Sequence, residues 1–122
     1  MPRVVHFEIH ASDTERAIRF YSEAFGWSFQ KWDGPMPYWV ITTGPNEEPG
    51  INGGIMPQEH PNQPCVNTVG VGNLDDSMKT VAANGGQITV PKMAVPGIGW
   101  LAYATDPEGH MFGMLQPDSN AK

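Results

Sequence analysis

The chain is poor in cysteine: Cys65 stands alone, so neither an intrachain disulfide nor a multi-cysteine zinc site can form. Basic residues are scarce too, 7 against 13 acidic ones, for a formal charge of −6. That balance speaks against nucleic-acid phosphates or an anionic membrane as the main partner, and it tolerates a cationic ligand. No run approaches the roughly 20 apolar residues of a membrane helix. The opening MPRVVHFEIHASD has no apolar stretch of signal-peptide length, so a cytoplasmic location is expected. No glycine loop sits between a strand and a helix to cradle a phosphate: GPNEEPG (Gly44–Gly50) and the Gly85-Gly86 pair lack that context. What remains is 122 residues with 39% hydrophobic content, enough for one domain spanning 1–122.

Residues Val4 to His10 alternate, with Val5, Phe7 and Ile9 on one side and His6, Glu8 and His10 on the other. A period of two predicts a strand with one face in a core and the other toward something polar. Ser12 and Glu15, three apart, offer an N-cap and capping box. Ala17, Ile18, Tyr21, Ala24 and Phe25 follow at helical spacing, and Gly26 suits the left-handed stop. Trp27–Trp32, Tyr38–Thr43 and Ile51–Met56 read as short strands separated by GPMP and GPNEEPG.

The pattern then recurs at an offset of 60. Ile9, Ala11 and Asp13 fall on Val69, Val71 and Asn73; Gly26 falls on Gly86; Gly53, Ile55 and Pro57 fall on Gly113, Leu115 and Pro117. A constant register through cap, helix, stop and last strand indicates an internal repeat. Module one covers about 1–57, a proline-rich linker about 57–65, and module two about 66–118. The expected fold is α+β, with two tandem βαβββ modules making an open, curved mixed sheet and helices outside. Val5, Phe7 and Ile9 should then pack under the helix, with His6, Glu8 and His10 facing the concavity.

The opening VVHFEI, the run ERAIRFYSEAFGW (Glu15–Trp27), the ANGG stop (Ala83–Gly86) and ATDPEGHMFGMLQPD (Ala104–Asp118) together resemble the vicinal oxygen chelate superfamily. That superfamily includes glyoxalase I, bleomycin-resistance proteins and extradiol dioxygenases. The resemblance implies a half-barrel of paired modules and frequent homodimers. In metal-dependent members it also implies a divalent ion held by His, Gln or Glu from the first and last strand of each module. Carried over position by position, that set becomes His6, Gly53, Val66 and Gly113, of which only His6 can ligate. No cofactor is therefore expected, and a divalent metal is disfavoured. A site of His6, Glu8 and His10 alone is also disfavoured, because His6 and His10 lie roughly 13 Å apart along a strand.

The candidate ligand-binding residues are thus His6, Glu8 and His10, with His10 toward the rim. Trp39, Trp100 and Tyr103 are candidate apolar pocket walls, against the alternative of core or interface packing. His60 reads as a linker residue, His110 as the start of a strand after a turn, and Cys65 as a small buried hydrophobe. Three functions follow. The first is a metal-independent small-molecule binder, the second a metal-dependent lyase, isomerase or dioxygenase using His6, and the third an interaction domain without ligand.

Overall fold

The computed structural model describes residues 2–59 and 63–122. His60 lies outside them. Two copies of β-α-β-β-β follow one another, so the fold is α+β, as the repeat predicts. The first copy runs β1 (Arg3–Ala11), α1 (Thr14–Phe25), β2 (Ser28–Lys31), β3 (Trp39–Thr42) and β4 (Gly53–Pro57). The second runs β5 (Cys65–Gly70), α2 (Leu74–Ala83), β6 (Gln87–Val95), β7 (Gly99–Thr105) and β8 (Met111–Pro117). The chain forms two compact units, His6–Val66 and Asn67–Lys122, and the latter includes the chain start through Val5. Val5 belongs there because it packs over Gly70, whose missing Cβ would lie 3.2 Å from a Val5 methyl.

The helices begin one residue later than the Ser12 cap predicts. Asp13 is the true N-cap of α1: its backbone is extended and its carboxylate accepts from the Arg16 N–H at 3.1 Å. A carboxylate at this position also meets the positive end of the helix dipole, which favours Asp13 over the neighbouring serine. Asn73 caps α2 in the same way, accepting from Asp76 N–H at 2.9 Å, so the offset of 60 holds through the caps. It fails at the helix stops. Gly26 ends α1 in the left-handed conformation (φ 73°), donating to Ser22 O at 2.9 Å. In α2 the chain leaves at Asn84, and Gly85 (φ 95°), not Gly86, takes the positive φ. α2 has 10 residues where α1 has 12.

In the first unit the strand order is β2-β3-β4-β1, with β1 parallel to β4 and the other pairs antiparallel. Phe7 pairs with Gly53, Gly53 with Ile41, and Ile9 with Ile55. Directly paired residues share a face, so these form one apolar layer, in which Ile41 and Ile55 are fully buried. Each such isoleucine contributes about 1.5–3 kcal/mol by leaving water. Helix α1 covers this layer through a stack of rings: Tyr21 lies on Trp27 at 5.0 Å, and Trp27 meets Phe7 at 6.0 Å. The even-numbered side chains of β1 therefore point away from α1.

In the second unit the order is β5-β8-β7-β6, again with one parallel pair, β5 and β8. Its core is Val71, Leu74, Ala102, Ala104 and Met114, with Met78, Val81, Val69, Trp100 and Phe112 packed against it. The even residues of β7 thus face α2, and Leu101 and Tyr103 face the other way.

Candidate functional site

Strand β1 brings three ionisable side chains to the face away from α1, and a fourth group arrives from Tyr38, the residue just before β3. The single O–H of Tyr38 donates to Glu8 Oε2 at 3.5 Å, and Tyr38 Oη lies 2.8 Å from His6 Nε2. His10 Nε2 lies 3.1 Å from Glu8 Oε1. With the phenol proton spent on Glu8, His6 must donate through Nε2–H, which assigns its tautomer and leaves Nδ1 an acceptor. His10 likewise donates through Nε2–H. The carboxylate of Glu8 then accepts from both sides, the arrangement a buried charge needs. Glu8 is 6% exposed and His10 7% exposed. His10 is therefore not at a rim, as the position at the strand's end suggested, but enclosed. Among the described residues its Nδ1 has no hydrogen-bond partner, which a bare lone pair tolerates better than an N–H would.

Burial lowers the pKa of His6 below its ordinary 6.5, and the nearby Glu8 carboxylate only partly opposes this. Burial likewise raises Tyr38, reinforced by the charge of Glu8 and the hydrogen bond to it, so the phenol stays protonated. The sign for stability follows from linkage. A histidine whose folded pKa lies below its unfolded value contributes stability above pH 6.5 that is lost as the pH falls toward the folded value. Chemical denaturation from about pH 7.5 to 5 should show that loss, and His6→Gln should flatten it. An identical slope in both proteins would refute the assignment.

Tyr38 is the member of this network that the sequence does not single out; the sequence points to its neighbour Trp39. The register shows why the two differ. Trp39 pairs with Ile55, and Ile55 with Ile9, so Trp39 lies on the α1 side, its ring 6.0 Å from Lys31 Nζ. This corrects the expected concave-face position of Trp39. Trp100 is corrected likewise. It packs on the α2 core, donates from Nε1 to Asp118 at 3.0 Å and lies 5.1 Å from Lys92 Nζ. That indole hydrogen bond leads the causes holding the Asp118 carboxyl below its usual range. Of the three expected pocket aromatics only Tyr103 faces away from its helix, paired with Gly113, which in turn pairs with Thr68.

The same register revises the last-strand position. Gly53 pairs with Phe7 on the helix side, whereas Gly54 pairs with Glu8. A Cβ on Gly54 would coincide with the Tyr38 phenol. In module two Thr68 pairs with Gly113, so the structural equivalent of Gly113 is Gly54, and the repeat offset in the last strand is one less than in the first. The set of positions for a family-type ion becomes His6, Gly54, Val66 and Gly113. One imidazole, two bare glycines and a buried valine do not make a donor set for a divalent metal. Among the described residues no group of three or more His, Cys, Asp or Glu side chains is placed to hold an ion.

The remaining candidates are quickly placed. Cys65 is exposed at the head of β5, not buried as its hydrophobic character suggested. His110 directly precedes β8 in a turn closed by Asp106, whose carboxylate accepts from the His110 and Glu108 backbone N–H groups at 2.9 Å. No helix of the described residues is long and apolar enough to cross a membrane.

Comparison with known proteins agrees with this architecture. Residues 3–44 match the family model described as bleomycin resistance protein-like N-terminal. CFP32 of Mycobacterium bovis and of Mycobacterium tuberculosis, named as a candidate glyoxylase, is 29% identical over 117 residues covering 89% of this chain. The chain spans 43% of the length of those relatives. Among solved structures, the protein BH1468 of Bacillus halodurans C-125 superposes with a TM-score of 0.71 at 14% identity, covering 99% of this chain and 98% of that one. Methylmalonyl-CoA epimerase of Mycobacterium tuberculosis gives 0.66 at 14% identity, covering 94% and 87%. These structural likenesses establish the fold. With the paired βαβββ modules, the family-model match over residues 3–44 and the curated relatives, they agree with the resemblance to the vicinal oxygen chelate superfamily carried by the sequence.

Proposed function

We propose that the chain is a cytoplasmic protein that binds a small organic molecule on the module-one face without a divalent metal. The ligand offers that face a hydrogen-bond-donating or cationic group. The observation that carries this reading is the buried carboxylate of Glu8, held between Tyr38 and His10 beside a neutral His6. The lone pairs of Tyr38 Oη and His6 Nδ1 make the face an acceptor surface with a negative charge behind it. Their repeat mates on β5, Val66, Thr68 and Gly70, are uncharged, so the first strand of module two carries no matching set. The family-model match over residues 3–44 includes His6, Glu8, His10 and Tyr38. The alternative of a metal-dependent lyase, isomerase or dioxygenase using His6 meets the donor set just described, which does not fit an ion.

The test is thermal-shift screening against a panel of organic ammonium and guanidinium compounds, bleomycin among them, followed by calorimetry on any hit. Losing a charge-assisted hydrogen bond costs about 1.5–3 kcal/mol, so Glu8→Gln and His6→Ala should each weaken binding roughly 10- to 100-fold with the fold intact. Unchanged binding in both variants would move the site elsewhere. Unfolding of both would make the network structural.

We further propose a homodimer. Phe20 and Phe25 on α1 are 58% and 64% exposed, and β2 and β6 end their strand orders as unpaired edges; a second copy would cover such surface. Light scattering at micromolar concentration should give twice the 13.3 kDa chain mass. A monomer mass would end this proposal.

A further inference from the structure

The network on β1 contains most of a cation site. His6 and Glu8 are two apart on one strand and share a face, and Gly54 lies directly across from Glu8 on β4. A donor side chain at position 54 would stand beside the Glu8 carboxylate and diagonally from the His6 ring. That place is taken. The Tyr38 phenol rests on the bare α-carbon of Gly54, so closely that a Cβ there would overlap its oxygen and ring. From that seat it bonds both His6 Nε2 and Glu8 Oε2. Trp32 backs the phenol edge-on at 6.2 Å, and the Trp32 N–H donates to Tyr38 O at 2.8 Å across the turn that joins β2 to β3.

We propose that Gly54 and Tyr38 together set the ligand selectivity of this face. The phenol, seated on Gly54, occupies the position from which a β4 side chain would complete a three-donor site with His6 and Glu8, and so keeps divalent cations away. The consequence is chemical. A divalent ion would compete with the Nε2–H of His6 and draw Glu8 into coordination, leaving no acceptor surface for an organic ligand. With the phenol in place the same two side chains stay in a proton-bearing network that recognises donors. Tyr38 is a positioning residue here: it decides what His6 and Glu8 are available to bind. The inference deepens the ligand-binding reading above, but its test does not depend on knowing the ligand.

The probe is Co²⁺ alone, followed by its visible absorption and by calorimetry, on protein purified without a metal-affinity step. The unaltered chain should bind Co²⁺ no better than His6→Ala does. The double variant Tyr38→Ala/Gly54→His, which opens the seat and supplies the third donor, should bind at least about 100-fold more tightly with low-coordinate absorption. Adding His6→Ala to it should abolish the gain. Tyr38→Phe keeps the ring on Gly54 and should gain nothing, which separates occupancy of the seat from the hydrogen bonds. Tyr38→Ala alone is the milder control should the double variant not fold. It should show roughly a 10-fold gain dependent on His6, with the His6 ring titrating nearer its ordinary value by NMR. Two results overturn the proposal: His6-dependent Co²⁺ binding by the unaltered chain, or a folded Tyr38→Ala protein with neither the gain nor the shift. Failure of every organic compound in the earlier screen, with the Co²⁺ pattern as expected, would instead reject the ligand reading and leave this inference standing.

Discussion

Gly53→Ala should destabilise the protein by about 2–4 kcal/mol and lower its melting temperature by roughly 10 °C. The reason is local and steric. A Cβ at position 53 would lie 2.5 Å from the Phe7 carbonyl oxygen and 2.7 Å from the Phe7 ring. The first neighbour is backbone of a paired strand and cannot turn aside. The second belongs to the apolar layer of the fully buried Ile41 and Ile55, and close-packed interiors take up extra atoms poorly. Gly99→Ala should behave alike, because its Cβ would strike the Gln116 carbonyl across the β7–β8 pair. Gly113→Ala is the contrast. Its nearest neighbours are the ends of Thr68 and Tyr103 at 3.2 Å, side chains that can yield, so a cost below about 1.5 kcal/mol is expected. Urea denaturation of the three variants ranks them. Equal stabilities for Gly53→Ala and Gly113→Ala would contradict the packing described here.

The second large effect concerns Glu8. Glu8→Ala removes the acceptor of two donors at once, and His10, at 7% exposure, loses the partner of its Nε2 while its Nδ1 already has none among the described residues. Tyr38 is left with His6 alone for its hydroxyl. Stranding a buried imidazole and opening a side-chain-sized cavity should together cost about 3–4 kcal/mol. Glu8→Gln preserves shape and one acceptor oxygen, and a cost near 1 kcal/mol is expected. The spread between the two variants, read from denaturant midpoints at about pH 7.5, measures what the network contributes to stability apart from any ligand. Similar midpoints would mean the carboxylate's partners are satisfied without it. This comparison also guards the binding test, since Glu8→Gln is useful there only because it leaves the fold intact.

Much of the architecture was legible in residue order because it rests on local chemistry. Alternation along Val4–His10 put His6, Glu8 and His10 on the face away from the helix, and the structure places them there. The Gly26 stop acts within a few residues of itself, so pattern alone reveals it, whereas the pattern puts the cap one residue early, at Ser12 instead of Asp13. The repeat made the two-module topology readable without a pairing diagram. Its limit was phase. On a four-residue strand such as β3 nothing local decides which alternate set faces the helix, and a shift of one residue exchanges the faces. Hence Trp39 stood in for Tyr38. Trp100 was misplaced for the same reason, its strand facing α2 with even-numbered residues.

The sequence by itself determined the βαβββ repeat and the acidic, histidine-bearing face of β1. The tertiary structure alone decided what those side chains do. The consecutive Gly53 and Gly54 look alike in sequence. Only strand pairing makes one the neighbour of Phe7 and the other the seat of a tyrosine. The enclosure of His10, the partnership of Glu8 with Tyr38 thirty residues away and the one-residue change of offset in the last strand are all long-range. They depend on which backbone lies across from which. Residue order constrains that through the summed packing of the whole sheet, not through any single local signal.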